Sequence, residues 1–159
     1  MALFQEGKAK EAFASYPFLQ TEGAPFVRLS KPASETRFGL ITTGGYCVEG
    51  VHEPFSARPE FDDTPPRFNV IGLDADPSTL RIHHPGYDHL FAKEDHNANL
   101  PFDRLTEMVR EGELGSVSND SIVLMGLVPN VAPLINETIP AIVRKFKSDS
   151  VEGALLVPS

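Results

Sequence analysis

Only one of the 159 residues is a cysteine, Cys47. An internal disulfide is therefore impossible, and a reducing cytoplasm is the expected compartment. A lone thiol is open to two readings, a nucleophile or a small buried hydrophobe. Positive charge is scarce as well. Lys and Arg number 14 against 22 Asp and Glu, giving a formal net charge of -8. A phosphate-backbone partner needs a basic patch, so no nucleic-acid partner is expected. No apolar run approaches the ~18 residues of a membrane span, and the start does not read as a charged–apolar–small leader. Neither a membrane association nor secretion is expected. Internal repeats and low-complexity tracts are absent too.

The rest of the composition is that of a globular domain: 41% hydrophobic and 23% charged. A chain of 159 residues fits one domain, spanning 1–159. Residues 3–16 carry Leu3, Phe4, Ala9, Ala12, Phe13 and Tyr16 in a loose helical stripe that Pro17 ends. Residues 37–43 are a short apolar, β-branched run closed by Gly44-Gly45, which predicts a buried strand and a tight turn. Residues 46–66, with Pro54, Pro59, Pro65 and Pro66, read as a long loop. Two short extended pieces follow at 68–73 and 79–83, the second broken by Pro85-Gly86.

From Pro101 the pattern turns helical, with Asp103 in the first turn, Leu105, Met108 and Val109 on one face and Gly112 at the end. Residues 121–125 read as another buried strand ending at Gly126. Asn130 can cap a helix whose apolar face runs from Val131 to Phe146, with a kink expected at Pro140. Residues 154–157 read as a fully buried parallel strand, reached from 121–125 by a helical crossover. The fold class is α/β: a small, mainly parallel sheet flanked by helices, layered α/β/α. A central parallel strand needs covering helices, and none follows residue 157, so the sequence reads as interrupted, with a C-terminal part missing.

Two constellations can carry chemistry. Thr42-Thr43-Gly44-Gly45 sets two hydroxyls and backbone N–H groups at a strand's carboxyl end, which suits a carboxylate or phosphate; a ligand-free turn is the plain alternative. Arg81-Ile82-His83-His84-Pro85-Gly86-Tyr87-Asp88-His89, with Asp95, His96, Asn97 and Asn99 beyond, is the densest polar cluster. His84, Asp88 and His89 have the atoms for a divalent metal, but Pro85-Gly86 prevents a helical i, i+4 pair and no cysteine ligand is near. Acid–base or substrate-orienting work by His84 or His89 is a second reading, and simple loop-tying hydrogen bonds a third.

The order of these motifs resembles the selenoprotein B–type subunits of the glycine/sarcosine/betaine/D-proline reductase family. The pieces are Gly39–Gly45, then Asp76-Pro77-Ser78-Thr79-Leu80-Arg81-Ile82-His83-His84-Pro85-Gly86-Tyr87-Asp88-His89. Asp95-x-Asn97, Pro101-x-Asp103-Arg104-Leu105, Glu111-Gly112-x-Leu114-Gly115 and Met125-Gly126 follow in order. Cys47 matches no motif of the family. The resemblance implies an oxidoreductase that cleaves a C–N bond of a small amine or amino acid, with thiol/disulfide as redox partner. It also implies that the Leu155-Leu156-Val157-Pro158 strand leads into a selenocysteine. The expectation is a chain truncated at that position, inactive alone and without a cofactor or metal of its own.

On this reading His84, Tyr87, Asp88 and His89 orient substrate and deliver protons. Thr42, Thr43, Gly44, Gly45, Met125 and Gly126 bind it. Partner reductase subunits and self-association through an uncovered apolar sheet face are also expected. A non-catalytic domain binding a small molecule or a metal is the alternative.

Overall fold

The computed structural model describes Gly23 and residues 27–56, 66–126, 128 and 131–159. The helix expected over 3–16 and the cap at Asn130 lie outside the described residues. Six strands and three helices position the site. The strands are β1 (Arg37–Thr42), β2 (Tyr46–Val48), β3 (Asn69–Gly72), β4 (Leu80–Ile82), β5 (Ser116–Val123) and β6 (Gly153–Val157). The helices are α1 (Leu90–Glu94), α2 (Phe102–Arg110) and α3, which runs over residues 131–148.

Four strands form one sheet in the order β3-β5-β1-β6. β5 and β6 both run parallel to β1, and β3 runs antiparallel to β5. The three apolar runs of the sequence are therefore neighbours, as expected. Thr42 is level with Val123 on one side and Val157 on the other, so the carboxyl ends of all three parallel strands lie side by side.

Side chains alternate across the sheet with the period of two that strands impose. Leu40, Ile71, Val123 and Met125 join the larger core, with Leu100, Phe102, Leu105 and Leu114. Ile122, Leu124, Ile41 and Val70 face the other way, onto Ile142, Leu134 and Phe146 of α3. Helices thus cover both faces, and the layering is α/β/α.

Three local readings change. β2 lies inside the stretch read as loop, because Tyr46–Val48 pair antiparallel with β4, Tyr46 opposite Ile82. β5 starts at Ser116, five residues before its apolar core; its polar first half pairs with Arg37 and Phe38 across an irregular register. β6 is an edge strand rather than a fully buried one. Its single partner is β1, and Leu155 and Leu156 are 38% and 66% exposed. The kink expected at Pro140 takes the form of a π-helical turn, Leu134–Thr138, between α-helical segments. Pro140 has no N–H to give the carbonyl four residues back, and the wider turn relieves the ring's clash there.

Candidate functional site at the strand ends

The turn after β1 is stitched to both neighbouring strands. The Thr43 N–H donates to the Val157 carbonyl at 3.0 Å, and the Gly45 N–H to the Leu124 carbonyl at 2.9 Å. The Gly44 N–H donates to the Thr42 hydroxyl at 3.0 Å, and Gly44 also bridges to Met125. Thr42 is wholly buried and Met125 nearly so, within the larger core. The turn itself requires glycine: Gly45 has a φ of +68°, and a Cβ there would lie 2.7 Å from the His83 carbonyl oxygen. The N–H groups of Thr43, Gly44 and Gly45 are thus all bonded inside the chain. The free backbone donors expected for an anion are not found at these three residues.

The 83–89 loop folds over this same edge. The His83 N–H donates to the Gly45 carbonyl at 2.8 Å, and the Tyr87 hydroxyl to the Gly44 carbonyl at 3.0 Å. The Tyr87 ring stands 4.9 Å from that of His84 and 4.7 Å from that of His89, centroid to centroid. His89 Nε2 donates to the His84 carbonyl at 2.6 Å. Ser159 closes the ring of contacts, its N–H donating to Thr43 Oγ1 at 2.9 Å.

Asp88 behaves differently. Its carboxylate is exposed and takes the Leu90 N–H at 3.0 Å at the start of α1, a loop-tying role. Asp95 and Asn97 do the same ahead of α2: Asp95 takes the Asn97 N–H at 2.9 Å, and Asn97 takes that of Asp103 at 3.0 Å.

His84 is the deepest of the polar loop residues, 6% exposed. Burial, reinforced by nearby His89, lowers its pKa from the ordinary 6.5 and keeps the ring neutral. Burial raises the Tyr87 pKa, opposed by a hydrogen bond from Asn99. Burial also raises the Cys47 pKa, against the pull of Arg67 and Arg81. Cys47 is 2% exposed on β2, an inert thiol in its physical setting. Among the described residues no group of three or more His, Cys, Asp or Glu is arranged to hold a metal ion.

Sequence reasoning missed one wall of the region. A cavity of about 200 Å³ is lined by Phe55, His83, His84 and Pro85. Phe55 is a single aromatic in a proline-rich stretch, with no periodic neighbour to mark it as buried.

The fold and the loop together define a class: a layered α/β domain whose polar residues gather beyond the carboxyl ends of parallel strands, where such sheets bind their ligands. The chain belongs to the family described as glycine/sarcosine/betaine reductase selenoprotein B, whose model matches residues 9–159. It is 26% identical over 128 residues to the D-proline reductase subunit gamma of Acetoanaerobium sticklandii, covering 80% of this chain and 50% of that one. It is 27% identical over 129 residues to the glycine reductase complex component B subunit gamma of Carboxydothermus hydrogenoformans, covering 79% of this chain and 28% of that one. The chain thus spans half or less of these curated relatives. No solved structure matches it. Among the described residues no helix is long and apolar enough to cross a membrane.

Proposed function

We propose that this chain is part of a selenocysteine-dependent reductase subunit that cleaves a C–N bond of a small amine or amino acid, with thiol/disulfide as redox partner. The observation that carries the reading is the family match over residues 9–159, nearly the whole chain. Two features of the molecule support it. The loop of His84, Tyr87 and His89 and the glycines Gly44, Gly45 and Gly126 meet at one sheet edge, beside the end of β6. The only cysteine lies buried on β2 with its pKa raised, which supports a redox residue other than Cys47.

A selenocysteine would supply the nucleophile, ionised at neutral pH more fully than a thiol of ordinary pKa ~8.5. This chain's residues would do the rest. Thr42, Thr43, Gly44, Gly45, Met125 and Gly126 form the floor of the substrate site. His84, Tyr87 and His89 orient the substrate, and Asp88 holds their loop against α1. The protein works in the cytoplasm with partner subunits, and copies associate through the exposed Leu155 and Leu156 edge.

The cavity of about 200 Å³ lined by Phe55, His83, His84 and Pro85 favours a second reading, in which the domain binds a small molecule without catalysis. The coding sequence downstream of the Ser159 codon separates the two. An in-frame UGA followed by cysteine-rich coding is expected. A protein extended through it, with cysteine at the UGA, should carry a thiol that alkylates faster than Cys47 at neutral pH. The reductase reading fails if no such frame exists or if no thiol outpaces Cys47.

A further inference from the structure

The two stems of the 83–89 loop wall another cavity, apart from the strand-end edge. β4 runs straight into that loop at His83, and α1 leaves it at Leu90. Between the stems lies a cavity of about 390 Å³, open to solvent. That size falls within the roughly 300–1,000 Å³ of small-molecule sites, and the cavity shares no lining residue with the smaller one beside Phe55. The gap is preformed. The loop is fastened elsewhere, its His83 N–H to the Gly45 carbonyl at 2.8 Å and its Tyr87 hydroxyl to the Gly44 carbonyl at 3.0 Å. The spacing of its stems therefore does not depend on what lies between them.

The lining divides by chemistry. Tyr46, Leu80, Ile82 and Ala92 form an apolar wall. Leu80 and Ile82 share one face of β4 by the period of a strand, and Tyr46 stands opposite Ile82 on β2. Tyr46 and Ala92 are buried, but Leu80 and Ile82 are only half-buried, so the cavity stands where a covering apolar group would pack. The charged lining residues are Arg81 and Lys93, with His96 beside them. No Asp or Glu among the described residues lines the cavity, in a chain with a net charge of -8. Arg81 is paired with Glu49, and His96 Nε2 lies 3.4 Å from an Asp103 carboxylate oxygen. Lys93, exposed in the last turn of α1, has no ion-pair partner among the described residues. An apolar wall with one unmatched ammonium remains.

We propose that this cavity binds a small molecule with an apolar body and a single carboxylate. The body covers Leu80, Ile82 and the Tyr46 ring, and gains by taking their half-exposed surface from water. The carboxylate meets the Lys93 ammonium, a charge-assisted contact that nothing else in the described chain makes. A phosphate dianion would call on the guanidinium that Glu49 already holds. An amine of the same shape would meet Lys93 as a like charge. The site goes beyond the reductase reading, since it shares no residue with the strand-end edge and needs no redox residue to operate.

Its test is therefore a binding measurement. The 159-residue chain carries labelled Leu and Ile methyl groups and is titrated with phenylpropionate. Phenylpropylamine, the same body with an amine, and acetate, the head without the body, are the controls. Phenylpropionate should move the Leu80 and Ile82 methyl signals saturably and bind at least about fivefold more tightly than the amine. Acetate should leave those methyl signals in place. Lys93→Glu, at an exposed position, should weaken phenylpropionate at least about fivefold and bring the amine level with it or ahead. Lys93→Arg should keep the carboxylate's affinity within about twofold. No saturable shift at Leu80 and Ile82, equal affinity for acid and amine, or an unchanged response in Lys93→Glu overturns the site. That failure leaves the thiol test of the reductase reading untouched, and the reverse holds as well.

Discussion

Four turns among the described residues close with a carboxylate or an imidazole taking the N–H two residues on, as the Thr42 hydroxyl also does for Gly44. In three the acceptor is a carboxylate: Asp76 to Ser78 at 2.9 Å, Asp88 to Leu90 at 3.0 Å and Asp95 to Asn97 at 2.9 Å. In the fourth it is an imidazole, His84 to Gly86 at 3.0 Å. The three carboxylates are exposed, and His84 is buried. An aspartate does all its work within its own turn, and solvent takes what remains of its charge. A histidine ends in a second nitrogen across the ring, and in His84 that nitrogen is buried against Gly126. The lesson is that the turn does not explain the residue. Aspartate would close it as well, so the reason for histidine at 84 lies on the ring's other side.

The strongest way to break this contrast is to make the fourth turn like the others. His84→Asp keeps an acceptor for the Gly86 N–H but places a carboxylate where the chain buries a neutral ring. An under-paired buried charge and the lost ring volume together should cost about 2–4 kcal/mol in urea unfolding. A loss below about 0.5 kcal/mol, the range of an ordinary surface change, would mean that burial does not set His84 apart.

A smaller effect comes from pH. The folded state holds the His84 pKa below its ordinary 6.5, through burial first and His89 second. The unfolded chain therefore binds the proton more readily. Stability from this residue is fully present above the unfolded pKa of 6.5 and is lost as pH falls through the folded one. His84→Asn keeps a neutral acceptor for Gly86 and should flatten the slope of stability against pH below that value. Parallel slopes for the two proteins would show that the ring is not held neutral.

How much of this could be read in the sequence follows from how local each signal is. The runs at 37–43, 121–125 and 153–157 show themselves by apolar content, and the helical crossover from the second to the third makes those two parallel. The edge position of β6 was hidden, because the sequence Ala154-Leu155-Leu156-Val157 reads the same in a central strand. β2 was hidden for the opposite reason: three residues between a Gly-Gly turn and a proline-rich stretch carry too little period, and only pairing with β4 makes them a strand. The gathering of His84, Tyr87 and His89 at the β1 turn was expected, since loops past strand ends meet there. Which of their atoms stays unpaired depends on ring orientation and on Gly126, some 40 residues away, and no local pattern encodes that.

The smallest expected effect tests the other side of the comparison. Asp76 is exposed, and its pKa is lowered from 3.8 by the hydrogen bonds it accepts from Ser78, since an N–H donor favours the charged form. The sign is that of a depressed acid: the turn's contribution is present above pH 3.8 and is lost as pH falls through the lower folded value. Asp76→Asn retains an acceptor oxygen for the turn and removes the charge and its titration. Thermal unfolding of the variant should fall slightly below the parent near neutral pH and converge with it in acid, below 3.8. His84→Asn should show its largest difference from the parent between the unfolded pKa of 6.5 and the acid range, well above the Asp76 window. If the Asp76 variant instead matches the parent at neutral pH and departs from it in acid, the charged carboxylate gives its turn nothing, and the contrast between the three carboxylates and the buried ring loses its basis.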